Sequence, residues 1–144
     1  MTRITSARFA ALLFGGLLLA GSAGCGKGIL TAPTVVTPAQ IARLGGHIAL
    51  GGDVFEDLAV QRDGTLTAIL TWTFSNNLDI TLTEASCGTR DFYGCTILAS
   101  SRAPRGTYSE RLIAAVRAGR TLRFWITNMD DAASASYTLD VVIQ

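Results

Sequence analysis

Apolar side chains recur at every second position through most of this chain. That spacing fits β-strands with one buried face and fits no amphipathic helix. Residues 65–74 (TLTAILTWTF) place Leu66, Ala68, Leu70, Trp72 and Phe74 on one side, and Thr65, Thr67, Thr71 and Thr73 on the other, with Ile69 the exception. Residues 78–84 repeat the pattern, with Leu78, Ile80 and Leu82 inward and Asp79, Thr81 and Thr83 outward. Residues 121–128 turn Leu122, Phe124 and Ile126 inward, residues 136–143 do the same with Tyr137, Leu139, Val141 and Ile143, and residues 54–60 alternate after Gly51 and Gly52. β-Branched and aromatic side chains suit such half-buried strands. Ser75, Asn76 and Asn77 are turn formers and predict a tight connection between the first two of these strands. Short strands separated by turn signals at regular spacing predict an all-β chain folded as an antiparallel sandwich or barrel.

Two segments are less clear. Residues 110–120 (ERLIAAVRAGR) contain good helix formers, with Gly119 where a C-cap would sit. They also alternate through Leu112, Ala114 and Val116, and the strand is preferred because it completes a meander into Thr121. Residues 45–48 (GGHI) read as a turn entering a first strand.

The amino terminus carries an address. Arg3 and Arg8 precede an apolar run at residues 9–20, and small residues at 22–24 lead to Cys25. This is the order of a secretory signal, and the run is too short to span a bilayer comfortably. Residues 22–25 (SAGC) resemble a bacterial lipobox, with Ser22 standing where that motif usually has an aliphatic residue. The resemblance implies cleavage before Cys25, diacylation of its thiol, and anchoring to the cell envelope at the outer membrane. An ordinary signal beside a free thiol is the alternative. Residues 1–24 are then the signal, 25–43 a lipidated tether interrupted by Gly26, Gly28, Pro33 and Pro38, and 44–144 one domain.

Cysteine arithmetic agrees with export. Three cysteines are present; Cys87 and Cys95 lie close enough to pair, and lipidation accounts for the odd one, Cys25. A structural disulfide belongs in an oxidising compartment. Twelve Lys and Arg oppose eleven Asp and Glu, and loss of Arg3 and Arg8 leaves a nearly balanced chain. Such a balance offers no electrostatic footprint for nucleic acid or for anionic lipid.

The segments at 52–60 (GDVFEDLAV), 64–72 (GTLTAILTW), 77–82 (NLDITL), 118–122 (AGRTL), 125–128 (WITN) and 135–139 (ASYTL), in this order, resemble bacterial pre-peptidase C-terminal domains. The resemblance covers most of residues 45–144. It implies a jelly-roll-like β-sandwich of about eight strands, closed by a hairpin and used as an accessory module of exported enzymes. No catalytic domain stands beside it in this sequence.

Candidate chemistry is sparse. One histidine, His47, is available to any Ser-His-Asp or Cys-His scheme, and no glycine-rich phosphate loop opens a helix. A hydrolase built on two carboxylates is the most distant of the readings. Asp53, Asp57, Asp79, Asp130 and Asp131 fall at predicted strand ends or turns, where oxygen ligands suit calcium. Solvated turn residues are the alternative, and no other cofactor is indicated. Trp72 shares the phase of Leu70 and belongs to the core, whereas Trp125 is out of phase with Phe124 and Ile126 and shares a face with Arg123 and Thr127. An exposed Trp125, with Arg123 and with Phe92 and Tyr93 held near the surface by the Cys87–Cys95 loop, would make a stacking platform for a polysaccharide or an envelope protein. Packing of Trp125 beneath a neighbouring loop is the alternative. The sequence therefore predicts an envelope lipoprotein with a non-catalytic binding or structural module, attached to the membrane through lipid.

Overall fold

Eight antiparallel strands fill two four-stranded sheets. They are β1 (Gln40–Ile48), β2 (Asp53–Ala59), β3 (Gly64–Trp72), β4 (Leu78–Glu84), β5 (Ile97–Arg102), β6 (Ser109–Val116), β7 (Thr121–Asn128) and β8 (Ala135–Ile143). The computed structural model describes residues 38–73, 76–102, 104, 106–129 and 133–144, and structural statements refer to these. The signal, Cys25, most of the tether, Phe74, Ser75, Asp130 and Asp131 lie outside them.

Sheet A has the order β1-β8-β3-β6 and sheet B the order β2-β7-β4-β5. This is the strand order of a jelly roll. Of the consecutive strands only β4 and β5 pair; every other connection crosses between the sheets. The expected meander is therefore absent, since β6 pairs with β3, and β7 and β8 form no hairpin because they lie in different sheets. Strands β3 and β4, expected to follow a tight connection, likewise lie in different sheets. The physical reason is that alternation dictates which face is buried but not which edge a strand meets. All eight inward faces serve one core.

That core contains Leu66, Leu70, Ile80, Leu82, Phe124 and Ile126, all fully buried. Each such side chain contributes roughly 1.5–3 kcal/mol on leaving water. The segment at 109–116 is a strand, as its alternation indicated. Residues 40–43, expected in the tether, belong to β1 and pair with β8. The glycine pair at 45 and 46 is no turn but the middle of β1. Gly46 lies opposite Tyr137, where a Cβ would come within 3.0 Å of the phenol oxygen. The glycine leaves room for the Tyr137 ring, whose hydroxyl donates to Glu56 Oε1 at 2.7 Å. Burial, and then the Glu56 carboxylate, raise the Tyr137 pKa.

Strand β5 carries no strong sequence signal. Ile97 and Leu98 are exposed, only Ala99 packs on the core, and its pairing with β4 is interrupted by a bulge at Leu82 and Thr83. Such irregularity is common at a sheet edge.

Candidate functional site

The β4–β5 connection folds back over the outer face of sheet B. Cys87 and Cys95 are bonded, with Cα atoms 5.4 Å apart. Asp91 accepts from the Thr89 hydroxyl and from the Tyr93 N–H, at 3.2 Å for the latter, and these bonds hold its carboxyl below the usual range. Phe92 adopts a left-handed backbone (φ 54°), uncommon for a side chain of its size, and this turns its ring onto the sheet.

What it meets there is Trp125. The register places Phe55 of β2, Trp125 of β7 and Thr81 of β4 in one cross-strand row. Phe55 lies 5.4 Å from Trp125 between ring centroids, and Phe92 meets it edge-on at 6.0 Å. Arg123, one row along, stacks its guanidinium 3.9 Å above the Phe55 ring. It donates two bonds of 2.7 Å to Asp57 and a third, of 3.0 Å, to the carbonyl of Cys87. These hydrogen bonds pull the Asp57 pKa down and push that of Arg123 up. One arginine thus joins β7, β2 and the stapled loop. Arg90 adds a further tie from loop to sheet, 3.0 Å from Asp53.

This geometry corrects the expected platform. Trp125 does project outward, as its phase required, yet it is only 5% exposed, against 6% for Trp72. Strand parity names the face of a sheet and says nothing about what folds over that face. On this face the aromatic groups that reach solvent include Tyr93, 89% exposed, and half-exposed Phe55. Phe55 was missed, although its position between outward Asp53 and Asp57 is the signal that could have found it. Among the described residues, buried Trp125 Nε1 has no hydrogen-bond acceptor.

The three aspartates considered for calcium do not converge. Asp53 faces Arg90, Asp57 is clamped by Arg123, and Asp79 lies 3.8 Å from Arg102. Among the described residues no three His, Cys, Asp or Glu side chains come together to hold a metal ion. Each carboxylate has an arginine as counter-ion instead.

A different acid is unusual. Glu110 lies on the inward face of β6, buried near Ser101 and Ile80 where β6 approaches β5. Burial raises its pKa to about 7, and the nearby Asp79 carboxyl pushes the same way. Burial also raises Asp79. Glu110 stands at the seam between the two sheets, beside the core. A shallow cleft of about 180 Å³ at the end of the sandwich is lined by Glu84, Leu98, Arg117 and Arg120, with Glu84 and Arg120 paired to each other. His47 is exposed on β1 opposite Ser136.

No family model and no curated protein matches the chain. Solved structures similar to it include a mitogen derived from Yersinia pseudotuberculosis, at 19% identity and a TM-score of 0.54 over 74% of this chain and 88% of that one. Others are PliG of Aeromonas hydrophila, a periplasmic inhibitor of g-type lysozyme (15%, TM-score 0.49, 74% and 88%), and a protein of Sulfurospirillum deleyianum (9%, 0.44, 75% and 99%). At such identity the likeness to the mitogen is one of fold, and functions vary widely on a shared fold. What this chain has in common with the mitogen is its β-sandwich.

Proposed function

We propose that this chain is an exported lipoprotein of the bacterial cell envelope, held at the outer membrane by lipid on Cys25. Its sandwich is a non-catalytic binding module, presenting the stapled loop of sheet B to an envelope protein. The observation that carries this reading is the Cys87–Cys95 bond. A bond of that kind persists in an exported chain, and it leaves Cys25 as the unpaired cysteine at the end of a signal-like segment. The pre-peptidase-like order of motifs supports an accessory role. The pairing of the outer aspartates of sheet B with arginines, and the position of His47 outside any described cleft, favour binding over hydrolysis.

The second reading, a polysaccharide ligand, rests on two exposed aromatic groups, Phe55 beneath Arg123 and Tyr93 of the stapled loop. Replacing Cys25 with Ser should release the protein from membranes with its thermal midpoint unchanged. Mass spectrometry that finds an unmodified Cys25 in the wild-type mature protein overturns the anchor. Cross-linked envelopes should yield a partner that Tyr93→Ala loses; a partner captured equally well by both forms moves the binding surface elsewhere.

A further inference from the structure

The outer face of sheet A is built differently from the loop face, and it suggests what lies against it. Cross-strand pairing puts Ile41 of β1, Val142 of β8, Thr67 of β3 and Ile113 of β6 in one row across all four strands. Ile69, one row along, stands diagonally between Val142 and Ile113, close enough for side-chain contact. Ile41 is 75% exposed, Ile113 52% and Ile69 42%. Single exposed isoleucines need no explanation, but a contiguous group on one face of a β-sheet does. Its charged border includes Arg43, paired with Asp140, and Arg111 of β6; just past the strand ends come Arg117 and the exposed Asp63, which accepts from the Ala118 N–H at 2.7 Å. The border therefore carries more arginine than acid.

The position of the patch selects its occupant. Ile41 is the second residue of β1, at the end of the sheet where the chain arrives from Cys25. Cys25 precedes Gln40 by 15 positions. A chain of that length reaches at most about 50 Å, so a lipid on Cys25 keeps this end of the sheet within that distance of the bilayer. Apolar side chains rimmed by arginine suit the boundary between acyl chains and anionic headgroups, and binding there grows with buried apolar area and with basic charge. One acyl chain binds only marginally, so a protein contact adds usefully to the anchor.

We infer that the outer face of sheet A, through Ile41, Ile69, Ile113 and Val142, lies on the surface of the membrane that carries the anchor. The two outer faces of a sandwich point in opposite directions, so this docking turns the stapled loop and Tyr93 away from the bilayer toward its ligand. The inference rests on the anchor reading and adds an orientation to it.

The test uses the full lipidated chain in vesicles of phosphatidylethanolamine and phosphatidylglycerol doped with a photoactivatable phospholipid. Cross-links mapped by mass spectrometry should concentrate on the outward residues of β1, β3, β6 and β8. The double variant Ile69→Glu and Ile113→Glu should lose about ten-fold of that labelling, as expected when apolar contacts with lipid become charged, while its thermal midpoint holds. Ile69→Thr with Ile113→Thr keeps strand propensity and serves if the charged pair misfolds. Labelling spread evenly, or centred on Tyr93, overturns the inference. So does cross-linking of sheet A to a second copy or to another protein. The mass of Cys25, read from the same digest, separates the two claims. Lipidated Cys25 with an unlabelled sheet A refutes the docking alone, whereas unmodified Cys25 refutes the anchor and the docking with it.

Discussion

On sheet A the outward side chains stand in open rows, and among the described residues no loop is folded over them. On sheet B a stapled loop crosses the rows and buries a tryptophan that the strand itself turns toward water. The contrast follows from topology. Most connections of a jelly roll pass from one sheet to the other at the ends of the sandwich. The β4–β5 connection returns to its own sheet, and here it runs long enough to lie on that sheet's outer face. Sheet B consequently has a second, small apolar layer made of Phe55, Phe92 and Trp125, pinned by Arg123. Outer position and solvent exposure are therefore different properties, and each can be tested separately.

The largest effect expected is on the two tryptophans. Trp72 belongs to the central core, where its indole Nε1 donates to the Asn76 carbonyl at 2.8 Å. Trp125 belongs to the outer layer of sheet B, yet it is equally buried. Trp72→Ala and Trp125→Ala should each lower stability by about 3–5 kcal/mol in urea unfolding, as large aromatic truncations do. Iodide should quench the two single-tryptophan forms alike. A Trp125→Ala variant that unfolds within 1 kcal/mol of wild type, a threshold set by about the size of ordinary surface changes, would mean the loop stands off the sheet.

Opening the staple should have the next largest effect. Cys87→Ser with Cys95→Ser frees a short loop, and the chain-entropy model assigns its closure about 2–3 kcal/mol. Iodide should then reach Trp125 but not Trp72, because only the former depends on the loop for its cover. If quenching of both stays as before, the loop is held by Arg123, Arg90 and Phe92 without the disulfide.

These two predictions mark where the sequence was readable. Period two identified the inward residues of β3, β4, β6, β7 and β8 correctly, because burial on one face of a strand leaves a signature within a few residues. It could not assign partners, so the sandwich was legible while the meander was wrong. The disulfide was legible from the spacing of Cys87 and Cys95 and the leftover Cys25. Burial of Trp125 beneath a loop stood beside the exposed platform as an open alternative, and the sequence could not choose, since the outcome depends on a left-handed Phe92 and on an arginine of β7 that reaches two segments distant in sequence. Glu110 was illegible for a related reason, since its role comes from neighbours that the fold supplies, whereas the outward phase of Phe55 was readable from Asp53 and Asp57.

Glu110 tests the seam between the two sheets. Its pKa of about 7 in the folded protein lies above the ordinary value of 4.5, so the folded state holds its proton more tightly than the unfolded chain does. The stability it contributes is full below pH 4.5, falls as pH rises toward 7, and levels off above that. The loss should be on the order of 2 kcal/mol, allowing for partial screening by solvent. Glu110→Gln should flatten the profile by remaining neutral throughout. A wild-type profile that does not fall between these pH values would place the carboxyl in water rather than in the seam.

The smallest effect compares two arginine–aspartate pairs of the same form, one on each outer face. Arg43 donates to both oxygens of Asp140 on sheet A, at 2.6 and 2.9 Å, as Arg123 does to Asp57 on sheet B. Their surroundings differ. Arg43 is largely in water, where an ion pair gains little over hydration and salt screens what remains. Arg123 is mostly covered, lies against Phe55 and bonds a loop carbonyl, so its removal forfeits packing and a hydrogen bond besides the charge. Arg43→Ala should leave the unfolding midpoint unchanged at physiological salt. Arg123→Ala should lower stability by about 1 kcal/mol, and Arg123→Lys should recover little of it, because lysine keeps the charge but lacks the planar fork. Full rescue by lysine would make the Asp57 charge the whole of the interaction, and the layer on sheet B would then rest on the aromatic rings and the staple alone.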